Sequence, residues 1–163
     1  MLGVHIRLTD NVATYSYWQR SDPSFVPECT SSFEGFLSVV DEATRAAPVF
    51  LATDNPRFEE LCRRRYRERV LTVPKRYTGG ALRPSRIVDA LAELIFLGRC
   101  RQVVGTYFSS FSQFAAIWGG TEYREIHGVE CRRSPFVDGV QAELAAAGPS
   151  SPDPGGERQR SSP

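Results

Sequence analysis

Gly3-Val4-His5-Ile6-Arg7-Leu8-Thr9-Asp10 is the stretch on which the fold turns. Val4, Ile6 and Leu8 alternate with His5 and Arg7, the pattern of a strand with one buried side. Side chains alternate across a strand, so His5 and Arg7 fall on the same side of the sheet. Arg7 stands at the carboxyl end, where its forked and permanently charged guanidinium suits a phosphate group. The same arginine also serves as an ion-pair or solvent-facing residue, and His5 also reads as a core histidine with its hydrogen bonds satisfied.

Working outward, Val49-Phe50-Leu51-Ala52-Thr53-Asp54-Asn55-Pro56 is a second strand running into a turn. Val103-Val104-Gly105-Thr106-Tyr107-Phe108-Ser109-Ser110-Phe111-Ser112 is a third, breaking into a small polar loop. The full order reads strand 3–7, polar loop 9–31, helix 32–46, strand 48–53, helix 56–65, strand 70–73, helix 85–97, strand 102–106 and helix 110–118. Strands alternating with helices imply parallel strands joined by right-handed crossovers, an α/β fold of the Rossmann-like, doubly wound kind. Phe33, Phe36, Leu37, Val40 and Ala43 recur at helical spacing after the cap signal Ser31-Ser32. Helix 85–97 starts beside Pro84 and stops at Gly98. Its Ile87, Val88, Leu91, Leu94, Ile95 and Leu97 cover more than one face, which predicts a well-buried helix.

A chain of 163 residues, 41% hydrophobic and 24% charged, is ample for one domain with a proper core. The formal net charge of +1 gives no electrostatic case for nucleic acid or an anionic membrane. Lys75 is the only lysine among many arginines. Cys29, Cys62, Cys100 and Cys131 are widely spaced, with no Cys-x-x-Cys and no Cys/His cluster, so no zinc site is expected. An even count permits two disulfides, but Cys62 and Cys100 lie in apolar helical surroundings and read as buried thiols in a reduced compartment. The arginine run from Arg63 to Arg69 ends a helix, where cations are favoured, and reads as a solvated face. No apolar run reaches transmembrane length and the start lacks signal-peptide character. Residues 1–144 form the expected domain. Residues 145–163, rich in Pro, Gly, Ser and Arg, form an expected disordered tail.

Taken in order, the His5-Ile6-Arg7-Leu8-Thr9-Asp10, Ala52-Thr53-Asp54-Asn55-Pro56 and Val103–Ser112 segments resemble the three motifs of the fucosyltransferase superfamily. That superfamily holds the α-1,6-fucosyltransferases, the nodulation fucosyltransferases and the protein O-fucosyltransferases. The resemblance spans residues 3–118. It implies the carboxyl-terminal, GDP-fucose-binding half of a GT-B-type glycosyltransferase, with an amino-terminal half-domain expected outside this chain. It also implies inverting, metal-independent transfer of fucose to a glycan or glycoprotein acceptor, without a cofactor. The compartment would be the secretory pathway for a eukaryotic fragment and the cytoplasm for a bacterial one.

By the same resemblance Arg7 contacts the β-phosphate and carries most of catalysis, since charge growing on the leaving diphosphate must be stabilised. No Asp-x-Asp pair is available to hold a metal for that purpose. His5 contacts the nucleotide. Asp89, in the first turn of helix 85–97, sits where the family places a guanine-binding aspartate; a carboxylate accepts both N1–H and the exocyclic amine of guanine, and adenine offers no such pair. Thr106, Ser109, Ser110 and Phe111 belong to the third motif, and a helix start with serines makes an anion site or an ordinary serine cap. Asp54 contacts the donor or holds the loop.

The chain departs from the family at three places. Arg7 is followed by Leu8 where many members have a second arginine. The third motif is one residue longer than the usual Thr-Phe-Ser-Ser, which leaves the phosphate-facing serine open between neighbours. Tyr15 stands about where core-fucosylating relatives carry a candidate glutamate base, and tyrosine is a poor base near neutral pH. Two other readings follow: a catalytically degenerate nucleotide-sugar module, and an α/β interaction domain in which these residues are structural.

Overall fold

A computed structural model of the chain describes residues 1–7, 31–77, 85–107 and 109–148. Within them lie six strands: β1 (Leu2–Ile6), β2 (Val49–Thr53), β3 (Val70–Leu71), β4 (Gln102–Thr106), β5 (Glu122–His127) and β6 (Glu130–Arg133). Five α-helices accompany them: α1 (Phe33–Ala46), α2 (Pro56–Tyr66), α3 (Ile87–Gly98), α4 (Ser110–Gly119) and α5 (Pro135–Ala147). The strands form one sheet in the order β3-β2-β1-β4-β5-β6. All neighbours are parallel except β6, which folds back antiparallel on β5. This is the doubly wound, Rossmann-like α/β sheet expected from the alternation of elements.

The strand order reverses between β1 and β4. Chain leaving β1 moves one way along the sheet to β2 and β3, then jumps back across to β4 and β5. Right-handed crossovers therefore put the early helices on one face and the later ones on the other. Phe36 and Val40 of α1 and Phe58 and Cys62 of α2 pack on Val4, Ile6, Val49 and Leu51. Leu97 of α3, Ala115 and Ala116 of α4 and Val137 of α5 pack on Phe50, Ala52, Val103 and Tyr123. A crevice outside the carboxyl ends of β1 and β4 is where such sheets hold ligands.

Local chemistry sets the helix ends. Ser32 caps α1, its hydroxyl accepting the Gly35 N–H at 3.0 Å. Asn55 caps α2, accepting the Phe58 N–H at 3.0 Å with Pro56 in the first turn. Gly120 ends α4 in the left-handed region at φ 62°. α3 and α4 approach until Gly119 meets the backbone of Gly98, leaving no room for a Cβ at 119.

The elements expected through residue 118 are all present. β5, β6 and α5 lie beyond the last element read from the sequence, and α5 runs through Ala147. The expectation of a well-buried helix 85–97 is corrected. Ile87, Val88 and Leu91 are 73%, 66% and 56% exposed, while the buried positions of α3 include Asp89 and Glu93. A charged segment, described below, lies against the first two turns of that inner face, while Leu97 at its far end packs on the sheet. Cys62 and Cys100 are buried, as read. The arginines of the 63–69 run are exposed, with Arg63, Arg64 and Arg65 paired to Glu59, Glu60 and Asp41. Among the described residues no helix is long and apolar enough to cross a membrane. Tyr15, Cys29, Pro84, Phe108, most of the 9–31 loop and positions 149–163 of the tail lie outside the described residues.

Candidate functional site

The last turn of chain at the switch point is tied by one hydroxyl. Thr106 Oγ1 accepts the backbone N–H of Arg7 at 3.0 Å and donates to the His5 carbonyl at 3.2 Å. Arg7 is thus locked to the end of β4 as soon as it leaves β1. Ser31 performs a similar service one strand over, accepting the Tyr107 N–H at 2.8 Å and donating to the Ile126 carbonyl at 2.6 Å.

His5 is buried in β1, and its ring lies 4.8 Å from that of Phe111 in the first turn of α4. In register, His5 faces Gly105 and Gly105 faces Glu125, a row running across three strands. A Cβ at Gly105 would collide with the hydroxyls of Ser112 and Tyr123, which fill its place and are 3.2 Å apart. The floor beneath the start of α4 is therefore polar. Ser109, the residue preceding α4, makes no side-chain cap, and its buried hydroxyl has no hydrogen-bond partner among the described residues. Ser110 is exposed. The first-turn amides of α4 have no intrahelical acceptor, and the helix adds a partial positive charge there.

His5, Arg7, Thr106, Ser109, Ser110 and Phe111 thus meet at the carboxyl ends of β1 and β4. Asp54 follows β2 at the same edge. Asp89 stands in the first turn of α3, on its inner face. Its carboxylate accepts Arg86 Nε and Nη2 at 3.2 and 3.0 Å and the Arg76 N–H at 3.1 Å. The Arg86 guanidinium, with the Arg76 amide behind it, holds the Asp89 carboxyl below the usual carboxylate range.

Two charged groups escaped the sequence reading. The side chain of Lys75 is fully buried, its ammonium 2.7 Å from the Thr53 carbonyl, 2.8 Å from Glu59 and 2.5 Å from Glu93. Tyr77 donates to Glu59 at 2.8 Å. A sole lysine and a glutamate inside an apolar helix were the available signals. The second group is Glu125 with His127, 3.0 Å apart, the imidazole lying 4.4 Å from the Tyr107 ring. Strand alternation places that pair together, but no pattern within β5 marked it. Among the described residues no three His, Cys, Asp or Glu side chains cluster as a metal site.

No family model matches the chain, and no curated protein matches it. Among solved structures it is similar to NodZ alpha-1,6-fucosyltransferase co-crystallised with GDP, at 20% identity and TM-score 0.43 over 76% of this chain. NodZ soaked with GDP-fucose matches at 21% and 0.43, and fucosyltransferase NodZ from Bradyrhizobium at 20% and 0.44. The chain spans 37% of the length of each of these. The likeness concerns fold alone, and the fold rests on the strand order and crossovers described above.

Proposed function

We propose that this chain is the donor-binding domain of a fucosyltransferase, holding GDP-fucose at the switch point between β1 and β4. The observation that carries this reading is the convergence of Arg7 with the start of α4, where Ser109 makes no side-chain cap and offers a buried hydroxyl. The diphosphate lies across that convergence. The guanidinium fork of Arg7, the first-turn amides of α4 and the Ser109 hydroxyl bind its oxygens. As the bond from the sugar to the β-phosphate breaks, negative charge grows on the departing oxygen and these donors strengthen. The acceptor hydroxyl attacks the opposite side of the sugar, inverting the anomeric centre. Thr106 is the positioning residue that fixes Arg7, and His5 and Phe111 line the nucleotide side. Asp89 reads guanine. In the proposed enzyme a second α/β half completes the cleft and carries contacts to the glycan or glycoprotein acceptor, and no metal takes part in transfer.

Calorimetry with GDP, with and without chelator, tests the assignment on wild type and Arg7→Lys. Binding indifferent to chelator is expected. Lysine keeps the charge but loses the fork, so GDP affinity should fall modestly while the melting temperature holds. Absence of GDP binding, or an Arg7→Lys protein that binds as wild type does, returns Arg7 to an ion-pair role.

A further inference from the structure

We infer that Lys75 is a positioning residue for base recognition: its buried ion cluster clamps segment 72–77 onto α3 and so holds Asp89 in the orientation that reads guanine. The inference rests on the donor-site reading above and assigns a role to a residue outside it.

α3 breaks a simple rule. Its leucine-type residues Ile87, Val88 and Leu91 face outward, and ahead of the core residue Leu97 its inner face presents Asp89 and Glu93, both buried. Burying carboxylates in preference to aliphatic side chains is unfavourable unless each is paired, and replacing such a cluster by apolar residues is often neutral or stabilising. Proteins break local rules of this kind mainly at functional sites.

The pairing partners come from one stretch. Lys75 reaches Glu93 of α3, Glu59 of α2 and the carbonyl of Thr53 that ends β2. Tyr77 adds a second bond to Glu59 and pairs in a single bridge with Ser85, just ahead of α3. Between Lys75 and Tyr77 stands Arg76, whose backbone N–H donates to Asp89. Glu93 and Asp89 are four residues apart, one turn on the same helix face. Lys75 on Glu93 and the Arg76 amide on Asp89 are therefore two rungs between the same pair of segments. An ammonium with three acceptors is fixed in direction, and it fixes where the next amide points.

Asp89 has about four lone-pair sites. The Arg76 amide takes one of them from a backbone that cannot swing away, which sets the plane of the carboxylate. The Arg86 bonds come from a half-exposed side chain and can be exchanged for N1–H and the exocyclic amine of guanine.

The test compares GDP, ADP and inorganic diphosphate by calorimetry on wild type, Lys75→Met and the double variant Lys75→Met/Glu93→Met, with melting temperatures alongside. With the titrations run at about pH 8, where Glu93 is ionised, the double variant removes one ammonium and one carboxylate and leaves the buried net charge as it was. In folded variants diphosphate affinity should stay within about twofold of wild type, and the preference for GDP over ADP should fall by about tenfold or more. A merely structural lysine would lower the melting temperature and leave the preference intact, which would overturn the inference while the donor site stands. Unfolding of both variants would overturn it as well. Wild type that binds neither GDP nor diphosphate would refute the donor-site reading itself.

Discussion

Gly119 packs on the carbonyl of Gly98, at a place where a Cβ on residue 119 would overlap that oxygen and its carbon. Both neighbours are helix backbone, so neither can turn aside as a flexible side chain would. The contact sets how closely α3 and α4 approach, and with it the placement of Asp89 relative to the start of α4.

Gly119→Ala is expected to destabilise the fold by about 1–3 kcal/mol, the ordinary cost of overpacking, despite alanine's better helix propensity. Gly139, inside α5, has nothing within 4 Å of the position its Cβ would take. Gly139→Ala should stabilise by about 0.5–1 kcal/mol. Denaturant midpoints of the two variants check the pair, and shifts in the same direction would contradict the geometry.

Ser109→Ala separates binding from folding. Its hydroxyl is buried without a partner among the described residues, so removing it takes away an uncompensated desolvation cost. Stability should be equal or higher in thermal melts. Affinity for diphosphate should fall by roughly tenfold or more, the worth of one hydrogen bond to a charged group. A destabilised variant with unchanged affinity would make Ser109 structural.

Asp89 and Arg86 should act in opposite directions. Asp89→Asn replaces an acceptor by a donor and is expected to weaken GDP by roughly tenfold or more while sparing inorganic diphosphate. Arg86→Ala removes the side chain that occupies the carboxylate, so GDP should tighten by about two- to fivefold. Titration of both ligands against both variants decides it. Equal losses for GDP and diphosphate in Asp89→Asn would remove its role in reading the base.

Burial pushes the Glu93 carboxyl up to about 7, although Lys75 opposes the shift. Its folded pKa lies above that of an unfolded glutamate, so the folded chain holds a proton that the unfolded chain releases. The stability from that proton is full below the ordinary value of 4.5 and is lost as pH rises toward 7. Glu93→Gln should flatten this slope, so its melting temperature should gain on wild type between about pH 5 and about pH 8. Parallel curves for the two proteins would place the proton elsewhere.

The elements through residue 118 were legible because each carries a local signal. β1 alternates, α1 and α2 have side-chain caps, and Gly98 stands at the end of α3 near its stop. The parallel, doubly wound character of the sheet followed from the alternation of strand and helix. β5 was not legible, since Glu122-Tyr123-Arg124-Glu125-Ile126-His127 alternates weakly and buries Glu125. α3 was legible as a helix and misread as well buried. Periodicity shows that an apolar stripe exists, but a buried ammonium on another segment decides which stripe turns inward. Within the site, the residues near Arg7 came from motifs with a common edge. Lys75 came from none, because its partners Glu59 and Glu93 are remote in sequence and joined only by folding.

The chain's single lysine side chain is fully buried. Its amine therefore has a practical use that no arginine offers. Reagents that acylate side-chain amines can reach Lys75 only when segment 72–77 lifts from α3. The rate of such labelling is a clock for that opening. It runs on the one side-chain amine of the chain, told apart from the α-amine by the peptide that carries the label, and any ligand that steadies Asp89 should slow it.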